Sequence, residues 1–304
     1  MLKRKIIRKL FTTTLSLLII LSVLTIQKNY NNNPKVLRTN LEIEDITGIS
    51  TDNIYLLNKD NLLVKTNIYI EKCKLKDKII KIIDNLKINN NRIPYNLKGY
   101  INDNTKVLDI KKDNNILSIN LSKEFLDYNN EQENIIISGL VHSLLEIKNI
   151  EYINLYVENN KIKGYEKTLN KELSINNKYD INNRKEINKV VLYYMDKDSY
   201  YVPISKYIND NREKIEVIID ELKNNEDNLI CYLNNNTKLI DYKEEGDILF
   251  LNFNKYIKDP SKDYEEKVLN EISYSVFDNY DVSMVIFQID GNKYKEIVKW
   301  KYNK

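Results

Sequence analysis

Behind Lys3, Arg4, Lys5, Arg8 and Lys9, every residue from Leu10 to Ile26 is apolar except for Thr and Ser. A helix over that run is about 26 Å long at 1.5 Å per residue, slightly short of a hydrocarbon core but able to span one with local thinning. The basic cluster would stay on the cytoplasmic side, so everything downstream would lie outside. A cleaved signal peptide is the competing reading. The end of the run, Leu21-Ser22-Val23-Leu24-Thr25-Ile26-Gln27, lacks an Ala-x-Ala-like site and has no cysteine to carry a lipid. The pattern therefore predicts an uncleaved anchor over residues 1–29 and a polar linker over 30–50.

The pattern then changes period. Ile54–Leu57, Leu62–Val64 and Ile68–Ile70 are short β-type runs broken by Asn-Lys-Asp. Leu75, Ile79, Ile82, Ile83 and Leu86 fall on one face of a helix of about three turns. Lys106–Ile110 and Ile116–Leu121 flank Lys111-Lys112-Asp113-Asn114-Asn115, a hairpin whose second strand alternates Leu117, Ile119 and Leu121 with Ser118 and Asn120. Ser122 or Asp127 is placed to cap the next helix. Ile136, Ile137, Leu140, Val141, Leu144 and Leu145 stripe that longer helix, and Tyr152–Val157 is a last strand before Glu158-Asn159-Asn160-Lys161.

That order of strands, helix, strand, strand, helix and strand is then written again. Asn104-Thr105-Lys106-Val107-Leu108-Asp109 returns as Asn236-Thr237-Lys238-Leu239-Ile240-Asp241, an offset of 132 (236 − 104). Leu117/Leu249, Asn120/Asn252, Lys123/Lys255, Asp127/Asp259 and Ser143/Ser275 keep that register without a gap. The preceding helix aligns at 136 instead (Ile82/Ile218, Asp84/Asp220, Leu86/Leu222), so a loop has shortened while the core register holds. In the second copy Val190–Tyr194 and Tyr201–Ile204 open, and Ile215, Ile218, Ile219 and Leu222 stripe a helix. Leu239–Tyr242 and Ile248–Phe253 flank Glu244-Glu245-Gly246-Asp247. Val268, Leu269, Ile272, Val276 and Phe277 stripe the last helix, and Val282–Ile289 ends in an Asp290-Gly291 turn. Two domains are expected, 51–170 and 188–304, joined by a linker at 171–187.

Composition changes this picture little. At 304 residues, 42% hydrophobic and 30% charged, the chain has room for two globular domains and is not of disordered type. The net charge of +3 is spread along it, with no basic stripe of the kind that tracks nucleic-acid phosphates. Cys73 and Cys231 do not coincide under the repeat and read as separate, half-buried thiols rather than a bridge.

A search for chemistry returns absences. His142 sits among helical apolar residues and its counterpart is Tyr274, so it reads as a satisfied or helix-surface histidine rather than a general base. No Gly-rich phosphate loop, Gly-x-Ser-x-Gly elbow or Cys-x-x-Cys pair occurs, and one histidine with two separated cysteines cannot furnish a usual zinc site. Asp109/Asp241 and Asp127/Asp259 are paired by the repeat, but solvation or capping accounts for them at least as well as acid–base work. The expectation is a non-enzyme without catalytic residues, metal or cofactor. A wall hydrolase working through a carboxylate pair is kept as a minor alternative.

The phrase Asn104–Asp109 followed by Leu117-Ser118-Ile119-Asn120-Leu121-Ser122-Lys123-Glu124-Phe125-Leu126 resembles the GerM domain family. Val190–Tyr194 with Tyr201-Val202-Pro203-Ile204 also looks like a domain start in that family, and Asn254-Lys255-Tyr256-Ile257 departs from Ser122–Phe125 in the second copy. The resemblance implies an α+β chain: two tandem small α/β sandwich domains, similar to ring-building motifs, with helices packed on one face of a small sheet behind the membrane helix. It implies a sporulation and germination role in the mother-cell membrane, facing the space between mother cell and forespore. The partners implied are other proteins of a channel platform, in a homo- or hetero-oligomer, with no nucleic acid. Better-known relatives are lipoproteins, and this chain lacks their lipid-bearing cysteine. A module binding cell wall or a small ligand is the runner-up.

Overall fold

The computed structural model describes residues 49–177, 188–258 and 262–299. The anchor expected at 1–29 lies outside them. Among the described residues no helix is long and apolar enough to cross a membrane. From Ser50 onward they belong to one compact unit.

The first copy runs β1 (Ile49–Leu57), β2 (Leu63–Glu71), α1 (Leu75–Asn85), β3 (Val107–Asp113), β4 (Ile116–Leu121), α2 (Glu133–Leu145), β5 (Tyr152–Val157) and β6 (Asn160–Lys161). The second runs β7 (Asn188–Met195), β8 (Tyr201–Ile208), α3 (Lys214–Leu222), β9 (Leu239–Glu245), β10 (Ile248–Phe253), α4 (Lys262–Asn279), β11 (Met284–Ile289) and β12 (Asn292–Val298). They form three four-stranded sheets: β3-β4-β5-β6 from the first copy, β12-β11-β10-β9 from the second, and a shared one in the order β1-β2-β8-β7. The opening hairpins of the two copies thus pair with each other in one sheet, a partnership that the element order alone does not specify.

Within each copy β4/β5 and β10/β11 pair in parallel, which requires a crossover, and α2 and α4 supply it. The stripe on α2 predicts one buried face. Instead every residue from Ile136 to Leu145 is buried, because the helix lies between two sheets. Ser143 Oγ receives the Tyr55 amide of β1 at 2.9 Å, while β5 packs on the other side. Ser275 on α4 does the same for Tyr193 of β7 at 2.9 Å. The second helix of each copy is thus a filling between sheets rather than a cover on one face.

The repeated polar residues are mostly joints. Asn102 and Asn234 accept from the amides two residues on, both at 2.8 Å, and start the turn into each edge strand. Asn120 and Asn252 accept from the amides of Asn159 and Gly291, both at 2.9 Å, and hold the turn beyond β5 and β11. Ser122 caps no helix: its Oγ receives the Lys106 amide at 3.0 Å, as Asn254 receives that of Lys238 at 3.1 Å. Asp127 instead accepts from Asn102 at 2.8 Å, and its partner Asp259 lies outside the described residues. The hairpin loops are shorter than expected, Asn114-Asn115 and Gly246-Asp247, because Lys111–Asp113 and Lys243–Glu245 continue the edge strands with solvated side chains.

Candidate functional site

The site that the fold defines is the seam between the copies. β2 and β8 meet antiparallel with Lys65 opposite Tyr201. The opening hairpins correspond at an offset of 138 (Tyr55/Tyr193, 193 − 55; Asn58/Asp196, 196 − 58). One step along each strand sets Val64 opposite Val202, its own counterpart, so a local two-fold axis passes between them. A further step brings Leu63 to Pro203, which has no N–H to give. There Asn176 inserts its side chain, accepting from Leu63 N at 2.8 Å and donating to the carbonyls of Leu63 and Pro203 at 2.7 and 2.8 Å.

Around that axis equivalent side chains meet. Tyr55 and Tyr193 are fully buried with their hydroxyl oxygens 2.7 Å apart. Tyr55 also reaches Glu146 at 3.1 Å and Tyr193 donates to Asp278 at 2.6 Å, and Glu146 and Asp278 are themselves repeat partners. Asn58 donates to Asp196, its own counterpart, at 2.9 Å. One residue breaks the symmetry. Lys65, in the place of Pro203, pairs with Glu146 at 2.7 Å with both side chains 9% exposed, and its ammonium lies 4.9–5.8 Å from the rings of Tyr55, Tyr193 and Tyr274.

The charges hold one another. Burial is the largest influence and would push Glu146 and Asp278 up, but Lys65 together with Asn53 at Glu146, and with Lys171 and the Tyr193 hydroxyl at Asp278, holds both below the ordinary carboxylate range. Burial would pull Lys65 down, and the two carboxylates outweigh that as well. Lys171 donates to the Phe277 carbonyl in the last turn of α4 at 2.9 Å, a favourable place for a cation. Nearby, burial holds Lys189 and Lys299 down to about 8.

The residues singled out in the sequence are dispersed. His142 is buried edge-on to Tyr55, with Nε2 2.9 Å from the Leu173 carbonyl, and burial keeps it neutral by lowering its pKa. Asp109 and Asp241 lie exposed on edge strands, beside Lys111 and bonded to Asn252 respectively. Cys73 and Cys231 are free. Two cavities of about 250 and 130 Å³, around Arg92 with Asp103 and around Arg212 with Asp210, have neither Glu146 nor Asp278 in their lining. Tyr55, Tyr193, Glu146 and Asp278 escaped sequence reading, although the 132 register already pairs Glu146 with Asp278 and sliding the opening hairpins to 138 would have paired the tyrosines.

One exposed feature occurs in both copies. The ladders of β3/β4 and β9/β10 each slip by one residue, and the bulged residues are Leu108 and Ile240, repeat partners that are 48% and 52% exposed.

A duplicated, sheet-dominated α+β chain, whose buried charges join its halves and whose edge bulges expose the same aliphatic twice, is a tandem-domain protein of one structural class. The family described as "Germane: Sporulation and spore germination" matches residues 53–163 and 191–295, and the chain belongs to it. Spore germination protein GerM of Bacillus subtilis (strain 168) is 25% identical over 222 residues, 66% of this chain and 60% of that protein. The chain therefore spans about 60% of the length of the curated relative it matches. The tandem GerMN domains of the sporulation protein GerM from Bacillus subtilis superpose with a TM-score of 0.68 at 22% identity, covering 80% of this chain and 92% of that one, a likeness of fold.

Proposed function

We propose that this chain is a membrane-anchored, extracytoplasmic and non-enzymatic assembly protein of sporulation. It helps build the platform of a transenvelope channel between mother cell and forespore through contacts among ring-type domains. The observation that carries the reading is the pair Leu108 and Ile240. A bulge re-aims a side chain and ends pairing at an edge, and here it turns an aliphatic to solvent at the same place in both copies, where packing does not require one. The seam supports the reading from the other side, because its carboxylates, tyrosines and lysine are engaged with one another.

The test is the double substitution Leu108→Glu and Ile240→Glu in sporulating cells. We expect arrest after engulfment, as in a deletion, with the purified ectodomain still folded but no longer associating with channel partners. Normal spores would sink the reading. A wall-glycan binding module has one feature in its favour, the surface pair Tyr232 and Tyr264 with rings 5.0 Å apart and Lys267 over both. Retention on purified peptidoglycan would favour it.

A further inference from the structure

The two copies differ at one place in a way their shared fold makes legible. The bridge Leu57–Lys98 in copy one corresponds to Met195–Ile230 in copy two, so Tyr100 corresponds to Tyr232. The Ser143/Ser275 register sets Gly139 against Glu271. In copy one Tyr100 turns inward, 7% exposed, and its hydroxyl occupies the space that a Cβ on Gly139 would need. In copy two the Glu271 side chain is the buried group, 0% exposed, and Tyr232 is turned out, half-buried against Tyr264.

Glu271 is poorly served where it sits. Its Oε2 accepts from Cys231 Sγ at 3.1 Å and from the Tyr232 amide at 3.2 Å, while Oε1 has no partner. The groups facing it are Cys231 and Tyr232 from one segment, Tyr201 from β8 and Lys267 one turn earlier on α4. Lys267 sits over the rings of Tyr232 and Tyr264 at 5.4 and 5.6 Å. Two donors on Oε2 suit a carbonyl oxygen, with the proton on Oε1. Burial accordingly raises this carboxyl to about 7, opposed by the thiol, the amide and the charge of Lys267, and burial followed by Glu271 raises the Cys231 thiol.

We propose that Glu271 is a proton-operated catch: as a neutral acid it holds Cys231 and Tyr232 against α4, and on ionising it releases them, so that Tyr232 leaves Tyr264. An anionic oxygen without a donor is far costlier to bury than an unpaired hydroxyl, and lifting the 230–233 segment admits the water that relieves it. The raised pKa sets the sign. The closed form binds the proton more tightly than the open one, so its advantage is full below about 4.5 and is lost as pH rises through about 7. Copy two thus carries an aromatic surface whose form depends on pH, which copy one, with Gly139, does not.

Amide exchange on the whole chain, corrected for intrinsic base catalysis, tests this. Protection at Tyr232 should fall by about tenfold per pH unit between about pH 5 and about pH 6.5, where the open form's carboxyl is ionised and the closed form's still protonated, and should level off above about pH 7. It should stay level in Glu271→Gln and at Tyr100 of the native chain. A slope shared by native and variant chains, or none in either, overturns the proposal. The native chain also decides alone by NMR: the Glu271 carboxyl must titrate near 7 in step with a change in ring-current shift at Tyr264. Titration in the ordinary carboxylate range, or a Tyr264 signal that does not move, overturns it.

Discussion

Lys65 concentrates more of the seam's energetics than any other side chain. It is the one cation bonded directly to Glu146 among the described residues, and it is also the leading attraction that keeps Asp278 ionised. Removing one partner of a buried pair typically costs about 3–5 kcal/mol, because the remaining charge is left uncompensated. Lys65→Met is expected to lose about that much in denaturant unfolding at neutral pH. The two carboxylates have folded pKa values below their unfolded ones. Their contribution is therefore present above about 4.5 and is lost as pH falls through the depressed values. The gap between native and variant chains should narrow in that acid range, and a constant gap would mean that Lys65 acts by packing alone. Replacing Lys65 and Glu146 together with Met and Leu should cost less than Lys65→Met, as expected when a buried pair is replaced by apolar residues.

The elements divide by how much of their surroundings the sequence encodes. α1 buries Ile79, Ile82 and Ile83 along the stripe its period announces, and α3 likewise buries Ile215, Ile218, Ile219 and Leu222. α2 could not be read that way. Its sequence has apolar residues on one face, but Ser138, Gly139 and Ser143 are small enough to pack against a second sheet, and smallness alone does not announce a neighbour. Strand pairing across the seam was equally silent, since a period of two states which face is buried and not which strand lies alongside. Asn176 shows the difficulty at one residue. In sequence it belongs to an Asn-rich linker, and in the fold it replaces the hydrogen bonds that Pro203 cannot make. Its backbone is left-handed, with φ at 48°, so Asn176→Gly removes the side chain without straining the chain. That variant should lose about 1–3 kcal/mol for the polar groups left unpaired. Amide protection at Leu63 should fall with it, and unchanged protection there would show that the strands close without the plug.

At the scale of the whole molecule, the two copies are one body. The shared sheet, the tyrosine pair and the linker stitched along it, with Ile175 bonded to Ser205 in both directions at 2.9 Å, leave no surface on which either half ends cleanly. A protease site introduced between Asn177 and Asn188 and then cut is therefore expected to leave the halves co-migrating in size-exclusion chromatography, with one unfolding transition. Separate elution would show that the seam is weaker than its burial indicates. The duplication was legible from its register in sequence, whereas the union of the copies was not, because the opening hairpins that pair across the seam follow an offset of 138 and only the carboxylates Glu146 and Asp278 keep the 132 that betrays the repeat.

The plug at Leu63 and Pro203 also sets a schedule. These residues are about 140 positions apart (203 − 63), and a chain grows at roughly 5–20 residues per second, so β2 waits on the order of ten seconds for β8. During that interval the first-made half carries an unpaired strand edge and a buried-type lysine with no second tyrosine to meet it. An open edge of this kind is a template for pairing with other chains. The nascent protein is therefore most vulnerable to misassembly when it is half made.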